Sequence, residues 1–283
     1  MPFYQVVILA IVQGITEFLP ISSTAHLALV PWVLGWRDPG LAFDIALHLG
    51  TLVAVVAYFF RTWVRVLLLA FGRRTLPPGD ADPDRDLYAN PRLFWFLAGA
   101  TLPAGLVGWM FQKQAETTLR SPYIIAAMMI GVGLLLWWAE RRGTFPKDLG
   151  RVTFADSLSI GVAQALAVIP GTSRSGITMA AALFRGVDRS AAARFSFLLS
   201  TPIIAGATLK AGHDLLKAGI PSDMLLPFAA GILISGLTGY LVIAWLIRYL
   251  QTSTFQFFVW YRIICGIIIL ALAFFFRDPV MAP

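Results

Sequence analysis

Charge is what this sequence lacks most. Only 13% of its 283 residues are Asp, Glu, Lys or Arg, about half the roughly 25% of an ordinary soluble domain. So little charge cannot cover the surface of a soluble chain of this length, which excludes a soluble enzyme, and so apolar a chain is no disordered regulator. Cysteine is nearly absent too. The single Cys265 permits no internal disulfide, which excludes a disulfide scaffold, and inert packing in an apolar run is its expected role. No Lys or Arg precedes Arg37, so the basic start of a secretory signal is missing and membrane entry is expected to use the spans themselves. Also missing are a Walker A loop, a dinucleotide-binding fingerprint and zinc-ligand spacing.

What is there is apolar. Hydrophobic residues make up 58% and aromatics 13% of the chain, and the mean hydropathy is +0.75. A lipid bilayer is the solvent that suits this composition, and the Trp and Phe abundance reads as lipid-facing surface and interface belt. Six segments are long and apolar enough to span about 30 Å at about 1.5 Å per residue: residues 41–60, 93–111, 123–140, 191–209, 224–247 and 255–276. Two more apolar stretches, 3–35 and 154–184, are broken at their middles by Pro20-Ile21-Ser22-Ser23-Thr24 and Pro170-Gly171-Thr172-Ser173-Arg174. Each half is too short to cross alone, so both read as re-entrant helix–loop–helix hairpins. The expected fold is an all-α polytopic membrane protein.

The net charge of +7 does not point to nucleic acid in such a protein, because surplus Lys and Arg mark cytoplasmic loops. If the loop after Arg61 is cytoplasmic, alternation gives fourteen Lys or Arg to cytoplasmic loops and six to external ones, with Arg174 and Arg262 inside apolar segments. Both termini then lie outside. The polar stretch 76–90 reads as a solvated loop and nothing more.

Superposing the two Pro breaks exposes an internal repeat. Pro20 matches Pro170 and Ser23 matches Ser173. Farther on, 43–48 lines up with 195–200, and 104–109 with 235–240. A single membrane domain of two inverted repeats, about 1–142 and 152–278, is expected, each with one hairpin and three spans. The two tips then meet near the midplane.

The first tip places Gln13 and Glu17 four apart on one helix face that Pro20 ends. Ser22, Ser23 and Thr24 suit the start of the next half-helix. The second tip combines Gly171, Thr172, Ser173, Arg174, Ser175 and Thr178. Converging helix N-termini attract an anion, and the fork of Arg174 matches phosphate oxygens. Intramembrane charges mark function by default, so Glu17 and Arg174 stand out, although a plain salt bridge between them is the competing reading. Single hydroxyls in apolar helices more often bond the preceding turn. Helix-packing or polar-cavity roles suit Asp44 and His48.

The motif Gln13-x-x-x-Glu17-Phe-Leu-Pro-Ile-Ser-Ser-Thr-Ala-His26, followed by Pro170-Gly-Thr-Ser-Arg-Ser-Gly-Ile-Thr178, resembles the undecaprenyl-diphosphate phosphatase family, the bacitracin-resistance proteins of bacteria. The resemblance covers essentially the whole chain. It implies hydrolysis of the terminal phosphate of a C55 polyprenyl diphosphate, recycling the lipid carrier of cell-wall synthesis. It also implies a site facing the outer side of the bacterial cytoplasmic membrane and a divalent cation, Mg²⁺ or Ca²⁺. The family accepts Glu or Gln where this chain has Gln13, so one carboxylate is missing from the metal set.

The residues allow that chemistry. Glu17 can hold the metal or act as base, with Gln13 as a neutral oxygen ligand. Ser23 is the candidate nucleophile with His26 as acid/base, and direct attack by water oriented by Glu17 is the alternative. Arg174 would clamp the phosphoryl oxygens. Ser22, Thr24, Gly171, Thr172, Ser173, Ser175 and Thr178 complete the expected phosphate-binding set. A broken-helix transporter or flippase for an anionic lipid is the rival reading, since it needs the clamp but no nucleophile. An acid-phosphatase-type lipid phosphatase ranks below both, because only His213 follows Arg174. Monomer and homodimer both stay open.

Overall fold

A computed structural model describes residues 1–73, 82, 84–219 and 222–275. The regular structure in them is helical: α1 (Phe3–Phe18), α2 (Ser23–Leu34), α3 (Leu41–Tyr58), α4 (Phe60–Ala70), α5 (Leu93–Glu116), α6 (Pro122–Arg141), α7 (Phe154–Ala165), α8 (Arg174–Phe184), α9 (Arg189–Ala218), α10 (Leu225–Leu250) and α11 (Gln256–Phe275). Helices α5, α6, α9, α10 and α11 are long and apolar enough to cross a membrane, and α3 with α4 forms a sixth candidate bent by 66°. The protein is an all-α, multi-pass membrane protein. The two stretches broken by proline are short helix pairs, α1 with α2 and α7 with α8, each packed on its partner. That is consistent with re-entrant hairpins.

Small residues set the helix spacing. A Cβ on Gly50 of α3 would lie 2.1 Å from Ser235 Oγ of α10, so the two backbones touch where only glycine fits. Ser235 Oγ donates to the Leu47 carbonyl at 3.0 Å across the same contact. Such close approach replaces the hydrophobic drive that lipid does not supply. Hairpin helix α1 packs on α10 and α7 packs on α5, again through glycines. A Cβ on Gly14 would meet Thr238 Cβ at 2.6 Å, and one on Gly161 would meet the Ala100 carbonyl at 2.2 Å.

Two features differ from the sequence expectation. The segment 41–60 does not run straight to its end: α3 stops at Tyr58 and the chain turns into α4. Helix α4 is amphipathic, and Arg61 and Arg65 lie four apart on it, so turning keeps both charges at a polar boundary. The loop 76–90 is also more than a solvated connection, although residues 76–81 and 83 lie outside the described residues. Arg65 holds Asp82 at 2.5 Å. Arg194 of α9 reaches Asp84 at 2.8 Å and Asp86 at 3.0 Å, and Thr62 donates to Asp84 at 2.7 Å. The Arg65 hydrogen bond, helped by the Asp84 N–H, holds the Asp82 carboxyl down at about 2. Arg194 is largely buried and needs carboxylates, so the acidic loop folds over it.

Candidate active site

The site forms where the α1–α2 and α7–α8 turns meet. Helix α1 ends at Phe18, just before Pro20, and Ser22 turns the chain with φ 76° and ψ 98°. In the second turn Ser173 has φ 65° and ψ 108°. These are the only two non-glycine residues with positive φ among the described residues. Each serine caps its helix: Ser22 Oγ accepts from Ala25 N at 3.4 Å, and Ser173 Oγ accepts from Gly176 N at 3.1 Å. Each also shares a 3.1 Å hydroxyl bond two residues on, with Thr24 and Ser175. The structurally equivalent pair is therefore Ser22 with Ser173, one residue off the match of Ser23 with Ser173 read from the sequence. The proline-to-serine spacing differs by one between the turns, which identity matching cannot detect.

The turns are tied crosswise. Ser175 Oγ donates to the Leu19 carbonyl at 2.9 Å, and Gly171 N donates to Thr24 Oγ1 at 3.4 Å. Gly171 itself has φ 89°, and a Cβ there would lie 2.4 Å from the Ile125 carbonyl of α6, so glycine is required twice over.

Between the turns sits Glu17. Its Oε2 accepts from Ser23 Oγ at 2.7 Å and from Gln13 Nε2 at 3.0 Å. Its Oε1 accepts from Arg174 Nη2 at 2.5 Å. Arg174 Nη1 is buried without a hydrogen-bond partner among the described residues. A guanidinium N–H in that state is a donor awaiting an acceptor, because leaving it unpaired is costly. The His48 ring completes the cluster. Its Nδ1 donates to the Asp44 carbonyl at 2.7 Å, which turns Nε2 toward Glu17 Oε2 at 3.6 Å.

Gln13, Glu17, Ser23 and Arg174 are thus brought together, each through Glu17. His26 is placed elsewhere: its Nδ1 donates to the Ser22 carbonyl at 2.7 Å, and its Nε2 meets the Tyr261 hydroxyl at 2.7 Å. Thr172 Oγ1 donates to the Leu166 carbonyl at 3.0 Å. Thr178 Oγ1 pairs with Ser196 of α9 at 2.7 Å and also donates to the Arg174 carbonyl. His48 reaches the site from a helix to which the sequence reading gave only packing or cavity roles. Its i to i+4 spacing from Asp44 was the available signal.

A divalent cation can be tested against these groups. Gln13 Oε1 is a buried oxygen with no partner among the described residues, beside the Glu17 carboxylate. Among the described residues there is no group of three His, Cys, Asp or Glu side chains able to cage a metal. Magnesium commonly takes one or two carboxylates and completes its shell with water and substrate phosphates. The set fits a cation that arrives with a phosphorylated substrate and does not fit a self-sufficient protein cage.

Long apolar helices with two paired broken ones define a polytopic membrane protein, and in it a buried hydroxyl on a carboxylate and a guanidinium donor without a partner among the described residues meet in one cluster. The family described as bacitracin resistance protein BacA matches residues 6–268, and the chain belongs to that family. Proteins named undecaprenyl-diphosphatase are similar over nearly their full length. One from Pelotomaculum thermopropionicum is 44% identical over 273 residues, covering 96% of this chain and 97% of that protein. One from Desulforudis audaxviator is 48% identical over 270 residues, covering 95% and 97%. One from Moorella thermoacetica is 46% identical over 271 residues, covering 96% and 98%.

Proposed function

We propose that the site hydrolyses undecaprenyl diphosphate to undecaprenyl phosphate and inorganic phosphate, recycling the lipid carrier of peptidoglycan synthesis and so opposing bacitracin. The observation that carries this reading is the chain from Ser23 Oγ through Glu17 to Arg174, with the Arg174 Nη1 donor buried and unused.

Ser23 Oγ attacks the terminal phosphorus while its proton passes to Glu17 Oε2, the oxygen it already faces. The bond from phosphorus to the bridging oxygen breaks, and the lipid monophosphate leaves with the electron pair. Arg174 Nη1 donates to the phosphoryl oxygens as charge spreads over them. The Glu17 proton passes on to the departing lipid phosphate. Water then attacks the phosphoserine, giving a proton by way of Glu17 to Ser23 Oγ as the P–Oγ bond breaks and inorganic phosphate is released. Gln13 Oε1 and Glu17 would hold a divalent cation, Mg²⁺ or Ca²⁺, which when bound would neutralise diphosphate charge. Ser22, Thr24, Ser173 and Ser175 shape the two helix starts whose free N–H groups face the anion.

The protein is assigned to the bacterial cytoplasmic membrane with this site toward the outer side. The count of fourteen basic residues against six supports the placing of the loops, and the outward-facing site follows from the family resemblance. Two inverted repeats, about 1–142 and 152–278, are supported by the equivalent Ser22 and Ser173 backbones and by the α1–α10 and α7–α5 packings. Topology reporters after Arg142 and after Arg120 should read cytoplasm and outside, and the reverse result overturns the orientation. The decisive assay is phosphate release from C55 diphosphate by purified protein in detergent, with and without EDTA. Release that EDTA suppresses is expected. An inactive protein that still moves labelled lipid across vesicles overturns the hydrolase in favour of a transporter.

A further inference from the structure

Arg262 lies in the middle of α11 with 0% of its surface exposed. Among the described residues no carboxylate pairs with it, and its partners are backbone carbonyls. Its Nη1 donates to Pro20 O at 3.0 Å. Its Nη2 faces Gly171 O and Thr172 O, both at 3.0 Å, and Met128 O at 3.1 Å. Its Nε donates to Met129 O at 3.1 Å. Pro20, Gly171 and Thr172 stand where the two hairpins break, so their carbonyls have left the helical ladder. In a bilayer no water is at hand to take them, and an orphan carbonyl costs several kcal/mol there. One planar fork satisfies both breaks and anchors them to α6. Burying an unpaired cation is expensive, and the carbonyls of three separate elements offset that cost only if they stay around it.

The neighbouring residue acts on the first turn as well. Tyr261 meets His26 Nε2 at 2.7 Å, with the two rings stacked 5.7 Å apart at 17°. The opposite ring nitrogen, Nδ1, donates to the Ser22 carbonyl. Helix α11 therefore grips the Ser23 turn through two side chains and the Arg174 turn through one.

We propose that Arg262 is a positioning residue that fixes the register of the Ser23 turn against the Arg174 turn. Resting on the hydrolase reading, it governs how well the nucleophile, its base and the phosphate clamp align, without touching substrate. Lysine cannot replace it, because a single ammonium lacks a fork wide enough for carbonyls of three elements.

The test compares wild type, Arg262→Lys and Arg262→Gln for hydrolysis of C55 diphosphate in detergent, and for hydrogen–deuterium exchange along the chain. Misalignment of about 1 Å costs on the order of 10²-fold in rate. We expect kcat to fall by about that factor in Arg262→Gln, with KM within about threefold because the clamp itself survives. Exchange should accelerate at residues 19–24 and 170–176 while α10 keeps its protection. Arg262→Lys, which keeps charge and much of the volume, should fall between the two and carries the test if Arg262→Gln does not fold. Wild-type kcat in either variant overturns the proposal. So does protection lost equally along α6 and α11, which would make Arg262 a general support of the fold. Exchange does not depend on turnover, so an inactive wild type would sink the hydrolase reading while the exchange data still decide the tie.

Discussion

The two turns share a backbone and differ in chemistry. Ser22 and Ser173 adopt nearly the same strained conformation, cap the following helix and bond a hydroxyl two residues on. One position after each cap stands Ser23 in the first turn and Arg174 in the second. Nine residues before each cap stands a buried glutamine, Gln13 or Gln164, yet five residues before stands Glu17 in one and Val168 in the other. Where the turns agree, the residues build the scaffold. Where they disagree, they supply the groups of the proposed reaction: a hydroxyl with its carboxylate on one side, a cation on the other, joined across the gap by Glu17. A symmetric frame can hold complementary groups face to face because neither turn needs to supply both.

The sharpest way to break this comparison is to remove the group found only in the first turn. Ser23→Ala should lower phosphate release on the order of 10³-fold or more, with substrate binding retained because Arg174 survives. Substantial residual turnover would replace the covalent route by water oriented on Glu17. Glu17→Gln should also lose rate and should in addition weaken the response to EDTA, since it removes the only carboxylate beside Gln13.

Next in size is the group found only in the second turn. Arg174→Lys keeps the charge but cannot hold Glu17 with one nitrogen while offering another to phosphate. A loss of roughly 10²-fold is expected, typical of removing one transition-state donor. Near-wild-type turnover measured in the same detergent assay would show that Arg174 serves only as the ion-pair partner of Glu17.

Much of this was legible in the sequence. Six spans and two broken stretches follow from run length and proline position, and their centres match the helices closely. Glu17 and Arg174 stood out because a charge inside an apolar run needs a reason. What composition could not give was direction. The same rule applied to Arg262, but nothing in a one-dimensional pattern tells that its partners are the carbonyls of Pro20, Gly171 and Thr172. The spacing of Ser23 and His26 suggested a shared task on one face of a helix, whereas Ser23 donates to Glu17 and both ring nitrogens of His26 are taken up by the Ser22 carbonyl and the Tyr261 hydroxyl, partners no spacing rule names. The bend after Tyr58 was hidden because hydropathy continues through it, and the acidic loop looked solvated because Arg194 lies more than a hundred residues away.

The shared features of the turns give a smaller, matched pair of effects. Ser22→Ala and Ser173→Ala should each lose about 1 kcal/mol of stability with the cap hydroxyl. Ser22→Gly and Ser173→Gly lose the same hydroxyl but also relieve a positive φ that costs a side chain about 1 kcal/mol. The glycine variants should therefore unfold close to wild type in thermal melts, in both turns alike. A cost confined to one turn would show that the resemblance of the two backbones is not energetic.

The smallest effect concerns the crosswise ties, where the symmetry is imperfect. Ser175 and Thr24 occupy the same place two residues after their caps, and each hydroxyl reaches the opposite turn. Ser175 is buried and donates to the Leu19 carbonyl at 2.9 Å. Thr24 is exposed and accepts from Gly171 N at a long 3.4 Å. Removing the first leaves a buried carbonyl without its donor, so Ser175→Ala should cost about 1–2 kcal/mol and lower kcat several-fold. Removing the second gives up a contact already near the limit of hydrogen-bond length, so Thr24→Ala should cost under about 0.5 kcal/mol. Both numbers come from melts and turnover of single variants in one detergent. Equal losses would mean that the 3.4 Å contact tightens in the working protein and that the two ties are as symmetric as the caps beside them.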